Sequence, residues 1–213
     1  MARPRAFDEH QVLERARNQF WSTGYAGTRM DDIALATGLG KGSLYGAFGD
    51  KGKLFHRVFD DWCTAVVEVA EERLADGPDA EALARLSGYV HLMAENTASD
   101  TERRGCLLAK GAAELAQHDA TVAKRSADTM TALLTLLRTE ISAAQRHGDI
   151  DGAADPERLA ALLLTVVRGI EAVGKAGLDP ETLRNIADTA LAVLPRPEGK
   201  QHLAIGPGPA REN

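Results

Sequence analysis

A chain of 213 residues, 44% hydrophobic and 26% charged, is long enough to bury one or two cores and too apolar to remain disordered. Two scattered cysteines exclude a disulfide framework and a cysteine-built zinc site, no apolar run reaches the roughly 18 residues of a membrane span, and no apolar leader follows Met1. A cytoplasmic protein without cofactor or metal is expected. The net charge of -6 argues against a nucleic-acid partner until it is divided along the chain. Residues 1–57 carry nine basic and six acidic side chains, or +3, and the remainder sixteen and twenty-five, or -9. A locally basic end on an acidic body still suits phosphate, because the field at the contact face decides binding.

Helical periodicity dominates from end to end. Val12, Leu13, Ala16, Phe20 and Trp21 form a stripe behind Asp8, an N-cap candidate with Gln11 three residues on, and Gly24 ends that segment. Thr28 is positioned to cap a second helix that buries Met30, Ile33 and Ala34, with Thr37 on the same face before Gly38. A third, from about Lys41, sets Leu44 and Phe48 on one side. Two short helices joined at Gly38-Leu39-Gly40 with basic residues close by have the form of a helix-turn-helix.

A longer helix is predicted from an Asp50 cap to about Ala75, before Gly77-Pro78. Further stripes follow at Leu83, Leu86, Val90 and Met93, at Leu107, Leu108 and Leu115, and along Val122, Met130, Leu133, Leu134, Leu137 and Ile141 to Gly148. Asp155-Pro156 and Asp179-Pro180 each place an N-cap before a first-turn proline, opening two last helices that end near Pro195. The fold expected is all-α, about nine helices: an N-terminal three-helix unit over 1–50 (8–57 with the start of the linking helix), a larger body over 51–195 and a mobile tail over 196–213. Arg3 and Arg5 flank Pro4 in an N-terminal arm.

Within the third helix, Leu44 and Phe48 should pack on Ile33 and Leu39, turning Lys41, Gly42, Ser43, Tyr45 and Gly46 outward. Two glycines in so short a helix cost about 1 kcal/mol each relative to alanine, a cost that makes sense where a backbone must approach a partner closely. Gly-Tyr-x-Gly-Thr at 24–28, Asp-Ile-Ala at 32–34, Lys-Gly-Ser-Leu-Tyr at 41–45, Phe48, Lys51 and Leu54-Phe55 together resemble the DNA-binding domain of the tetracycline-repressor (TetR) family, and Arg104-Gly105-Cys106-Leu107-Leu108 resembles the start of the sixth helix in one branch of it. The resemblance departs at Gly40, where a serine or threonine cap is usual, and at Gly46 and Ala47, where larger side chains are common.

That resemblance implies double-stranded DNA as partner, with Lys41, Gly42, Ser43, Tyr45 and Gly46 at the groove and backbone, and Lys51, Thr28 and Arg29 at phosphates. It further implies a ligand-responsive repressor that binds an inverted-repeat operator as a homodimer. The dimer face would fall on the last two helices, at Leu159, Leu163, Val166, Val167, Ile170, Leu183, Ile186 and Ala190. Helices four to seven would enclose an unidentified small-molecule effector among Trp62, Cys63, Val66, Tyr89, Met93, Cys106 and Met130, residues that also suit ordinary core. Two rival classes stand beside this reading: an oxidant sensor using Cys63 and Cys106, and a helical enzyme. Against the enzyme, the six histidines are scattered and no H-E-x-x-H, G-x-S-x-G or P-loop pattern occurs.

Overall fold

The computed structural model describes residues 7–74 and 77–197. Within them the chain forms α1 (Glu9–Gly27), α2 (Met30–Thr37), α3 (Lys41–Phe48), α4 (Lys51–Leu74), a short 3-10 turn (Asp79–Glu81), α5 (Ala82–Ser99), α6 (Leu107–Leu115), α7 (Ala120–His147), α8 (Pro156–Ala176) and α9 (Pro180–Ala192). No strand occurs among the described residues. Ala75, the arm with Arg3 and Arg5, and the tail from residue 198 lie outside them.

Aspartates set where helices begin. Asp8, Asp119, Asp155 and Asp179 each accept backbone N–H groups of the first turn that would otherwise lack partners. Asp50 does the same for Lys53 at 2.9 Å. Pro156 and Pro180 follow their caps directly, where a missing N–H is harmless. Gly38 ends α2 in the left-handed region at φ 73°, its N–H returning to the Ala34 carbonyl at 2.9 Å.

Two apolar clusters hold the molecule together. One joins α1, α2 and α3 to the first half of α4 and to Cys106, Leu107, Leu108 and Val122, around a run of rings from Phe20 through Phe55 to Phe59. The other gathers α5, α7, α8 and α9 around Leu86, Leu137, Ile141, Leu163 and Ile170. The first core therefore continues past residue 50 into α4 and α6. Arg85 and Glu140 pin α5 to α7 within the second cluster, Nη2 to Oε2 at 2.7 Å, with burial pushing the Glu140 carboxyl up and the guanidinium pulling it back.

This packing claims part of the expected dimer face for the core. Leu163, Val167, Ile170 and Leu183 are buried in the second cluster and Ala190 is nearly so, while Leu159, Val166 and Ile186 are half-buried. The physical reason is that α8 packs against α5, α7 and α9, which consume most of its wide apolar stripe. What faces outward instead is Ala161, Leu162, Thr165 and Ala172 on α8, and Thr189 and Val193 beyond them. Leu162 and Val193 are the large apolar groups left exposed there.

The end of α1 also differs from expectation. Gly24 breaks the helix at φ 76° and ψ 173°, a conformation essentially reserved for glycine, and one more turn carries the chain to Gly27. Thr28 does not cap α2. Its buried hydroxyl donates to the Gly24 carbonyl at 2.6 Å, satisfying a group released by the break, and Arg29 takes the cap position with its N–H on Asp32 Oδ2 at 2.8 Å. A Cβ on Gly24 would meet the Glu114 carboxylate, the mobile end of a side chain that accepts from the Ala26 N–H at 2.9 Å. Gly24→Ala should therefore cost about 1–3 kcal/mol, chiefly through the backbone. Thermal unfolding checks this: a lowered midpoint that Glu114→Ala fails to restore is expected, since removing the carboxylate relieves only the contact.

Candidate DNA-reading surface and interior cavity

Short apolar spacing positions the third helix. Leu44 is fully buried and Phe48 nearly so, packed with Ile33 and Leu39 in the first cluster, while the Phe48 ring lies between Phe7, 6.2 Å away, and the Arg57 guanidinium at 5.2 Å. The opposite face presents Lys41, Gly42, Ser43, Tyr45 and Gly46, all exposed. A Cβ built on Gly42 or Gly46 would touch nothing within 4 Å. No intramolecular contact therefore requires glycine at either place. Lys41 is paired with Asp31 across the turn, which raises the lysine's pKa and keeps it cationic; both groups are more than half exposed, so the pair is weak enough to exchange for another anion. Arg29 projects from the start of α2 with its side chain 80% exposed.

Two residues expected at phosphates are engaged inside the protein. The Thr28 side chain is buried, so only its backbone lies near that surface. Lys51 Nζ donates to the carbonyls of Tyr25 and Thr28, each at 3.0 Å, and sits 4.1 Å from the centre of the Tyr25 ring. Two of its three donors thus hold the α1–α2 junction against the start of α4. Sequence spacing puts Lys51 near the surface without showing the two open carbonyls that claim it.

A cavity of about 450 Å³ opens between the two clusters. Its wall combines Trp62 and Val66 of α4, Tyr89 and Met93 of α5, Cys106 and the preceding 100–105 segment, and Arg168, Glu171 and Lys175 of α8. Five of the seven residues expected around an effector meet there: Trp62, Val66, Tyr89, Met93 and Cys106. Cys63 is instead buried in the first cluster, and Met130 packs at the edge of both. Both are drawn away by α7, which fills the space behind α4 and contributes nothing to the cavity wall, so α8 takes the part expected of α7. Sequence reading misses Trp21, Arg168 and Glu171. The charged pair three residues apart inside the apolar run of α8 is the signal that would have found the last two.

Trp21 comes from α1, and three contacts anchor it at the cavity rim. Its Nε1 donates to the Gly105 carbonyl at 2.5 Å, its ring lies 4.7 Å from that of Trp62, and the Arg104 guanidinium stacks 3.9 Å above it. From α6, Lys110 Nζ donates to the Trp21 carbonyl. One side chain of the helix-turn-helix unit is therefore part of the cavity wall.

The remaining reactive groups are held in ordinary pairs. His56, His91 and His147 lie 2.6, 2.8 and 2.8 Å from Asp119, Asp188 and Asp149 respectively. Among the described residues no cluster of His, Cys, Asp and Glu has the form of a metal site. Burial pushes the Cys63 thiol up, and burial with the nearby Glu171 carboxylate pushes Cys106 up to about 11. Neither is poised as a thiolate at neutral pH, the state that oxidants and disulfides attack. Both should label with DTNB at pH 8 far more slowly in the folded protein than in guanidinium; equal rates would show that one is open and acidic.

Comparison with known proteins agrees with this architecture. Residues 12–58 match the family described as bacterial regulatory proteins, tetR family, and residues 82–190 match the tetracyclin repressor-like C-terminal domain. The HTH-type transcriptional repressor ComR of Escherichia coli K12 is 26% identical over 194 residues, spanning 91% of each chain, and the uncharacterized HTH-type transcriptional regulator YezE of Bacillus subtilis is 27% identical over 91% of this chain and 100% of its own. Among solved structures, a triple cysteine mutant of the TetR family regulator CifR bound to 26-bp double-strand operator DNA superposes with a TM-score of 0.79 at 27% identity, covering 91% of this chain and 100% of that one. With a three-helix head built to display α3 and an all-helical body matched over more than half the chain, this protein belongs to the TetR family of DNA-binding transcriptional regulators.

Proposed function

We propose that the chain is a cytoplasmic, ligand-responsive repressor that binds an inverted-repeat operator as a homodimer and releases it when a small molecule occupies the cavity. The observation that carries this reading is the place of Trp21: it lines the cavity and belongs to α1, so filling the cavity acts on the helix that supports α2 and α3. The linking helix gives a second route, since α4 carries Trp62 and Val66 at the cavity and Lys51 beneath the α1–α2 junction. A ligand that prefers one arrangement of these helices shifts the population of heads spaced correctly for DNA.

At the DNA, Lys41, Ser43 and Tyr45 are the side chains offered to the major groove, with Arg29 and the backbone at Thr28 toward phosphate. Lys51 contributes chiefly by fixing the junction that aims them. Gly42 and Gly46 permit close approach of the helix backbone. Gly46→Ala isolates that role, because its methyl group meets no protein atom and alanine favours helix by roughly 1 kcal/mol. A slightly raised melting temperature with at least about tenfold weaker operator binding by fluorescence anisotropy is expected, the latter equivalent to about 1.4 kcal/mol. Unchanged affinity would remove Gly46 from the contact face.

For the homodimer, the outward strip of Leu162, Thr165 and Ala172 on α8 with Val193 beyond α9 is the surface that the last two helices leave exposed after the core is built. Two-fold pairing there would present two reading helices about one DNA turn, roughly 34 Å, apart. Sedimentation should find a dimer, and Leu162→Arg with Thr165→Arg should give a helical monomer that no longer holds the operator. A wild-type monomer at micromolar concentration would refute the pairing.

A further inference from the structure

The cavity retains polar groups that the protein leaves unanswered. Arg168 and Glu171 stand one turn apart on α8, each side chain 16% exposed, with Arg168 Nη1 3.0 Å from Glu171 Oε2 and 3.4 Å from Cys106 Sγ. The closeness is deceptive: Glu171 Oε2 lies outside hydrogen-bond geometry, and the buried Nε–H of Arg168 finds no acceptor among the described residues. The Trp62 indole N–H is buried without an acceptor as well. Unpaired buried donors are costly, and here two belong to cavity-lining side chains.

The charges around the cavity point the same way. Arg103, Arg104, Arg168 and Lys175 line it against Asp100 and Glu171. Arg104 is already held by Asp100 at 3.4 Å and by the face of Trp21. With four cationic side chains against two carboxyl groups, the lining favours an added anion over an added cation. A guanidinium's paired N–H donors have the two-donor spacing of a carboxylate. Much of the rest of the wall is flat or apolar, at Trp21, Trp62, Val66, Tyr89 and Met93, with Asn96, Thr97 and Ser99 as its neutral polar part.

We propose that the cavity binds a small monocarboxylate with an apolar, flat body, its carboxylate seated on the guanidinium of Arg168 and its body between Trp62, Val66, Tyr89 and Met93. This assignment rests on the effector reading above and names the chemical class of the effector. The carboxylate would give Arg168 the hydrogen-bonded partner that Glu171, 3.0 Å from Nη1, does not supply. A volume of about 450 Å³ suits a molecule of one ring and a short chain.

The protein carries its own reporter, because its two tryptophans, Trp21 and Trp62, both line the cavity. Benzoate, 3-phenylpropanoate and octanoate, each with its primary amide, would be titrated into the full chain while intrinsic fluorescence is followed. At least one acid should give a saturable change, at least about tenfold tighter than its amide, with the aromatic acids ahead of octanoate. Arg168→Gln should abolish the preference for acid while leaving the amide's binding in place, and Arg168→Lys, which keeps the charge but not the fork, should retain part of it. Amides binding as tightly as acids, a preference that survives Arg168→Gln, or no saturable change with any acid at millimolar concentration would each overturn the proposal. Operator anisotropy separates the two readings, using a duplex selected by the protein from a random pool. An acid that binds through Arg168 yet leaves operator affinity unchanged supports this site and defeats the effector reading, whereas an amide that binds and releases DNA does the reverse.

Discussion

The break in α1 at Gly24 is the constraint around which the molecule is organised. A helix that ends there releases carbonyls and an N–H that the regular helix would have paired. Three other parts of the chain supply the partners. Thr28 takes the Gly24 carbonyl, Lys51 of α4 takes those of Tyr25 and Thr28, and α6 contributes Lys110 to the Trp21 carbonyl and Glu114 to the Ala26 N–H. The orientation of α2 and α3 follows from this, since both hang from the segment so gripped. A conformational cost at one glycine becomes the joint that ties the head to the body.

The same joint explains why the cavity lies where it does. Trp21 is one turn before the break, and its indole reaches across to Gly105 and Trp62, closing one side of a space that α5 and α8 bound elsewhere. Head and cavity therefore share a side chain instead of being joined only through a long lever. Chemistry in the cavity is similarly divided: rings and aliphatic groups form most of the wall, and the Arg168 guanidinium on α8 supplies a strong directional donor. Small-molecule sites commonly have this composition, because apolar area supplies affinity and a few fixed polar groups supply selectivity.

Surface and core compete for the same residues in α8. Its run from Leu159 to Val173 reads as one broad apolar face, yet the structure divides it among three helices, the cavity and the outside. Leu163, Val167 and Ile170 go to the core, Arg168 and Glu171 to the cavity, and Leu162 and Thr165 outward. Periodicity reports that a helix has an apolar side without saying which neighbour covers it. For that reason the helix was legible, and the burial of Leu163, Val167 and Ile170 in the core was not. The two cysteines show the same limit: both read as candidates for the cavity, and the packing of α7 sends Cys63 into the head's core while leaving Cys106 on the wall.

Local chemistry was sufficient for the helices, the aspartate caps and the family. Asp-Pro pairs, left-handed glycines and apolar spacing act within a few residues, so Asp155-Pro156, Asp179-Pro180 and Gly38 declare themselves in the chain. The exposed face of α3 was legible for the same reason, because Leu44 and Phe48 fix which side is buried. Long-range packing decided the rest. Lys51 became a clamp, Thr28 an internal partner, and Trp21 a cavity residue through contacts with segments 23 or more residues away or through a backbone break with no sequence signature beyond one glycine. Sequence alone thus determined that this is a helical DNA-binding regulator, and only the tertiary structure decided which side chains line the cavity and which hold the helices together, because that depends on which unpaired groups the fold brings within reach of one another.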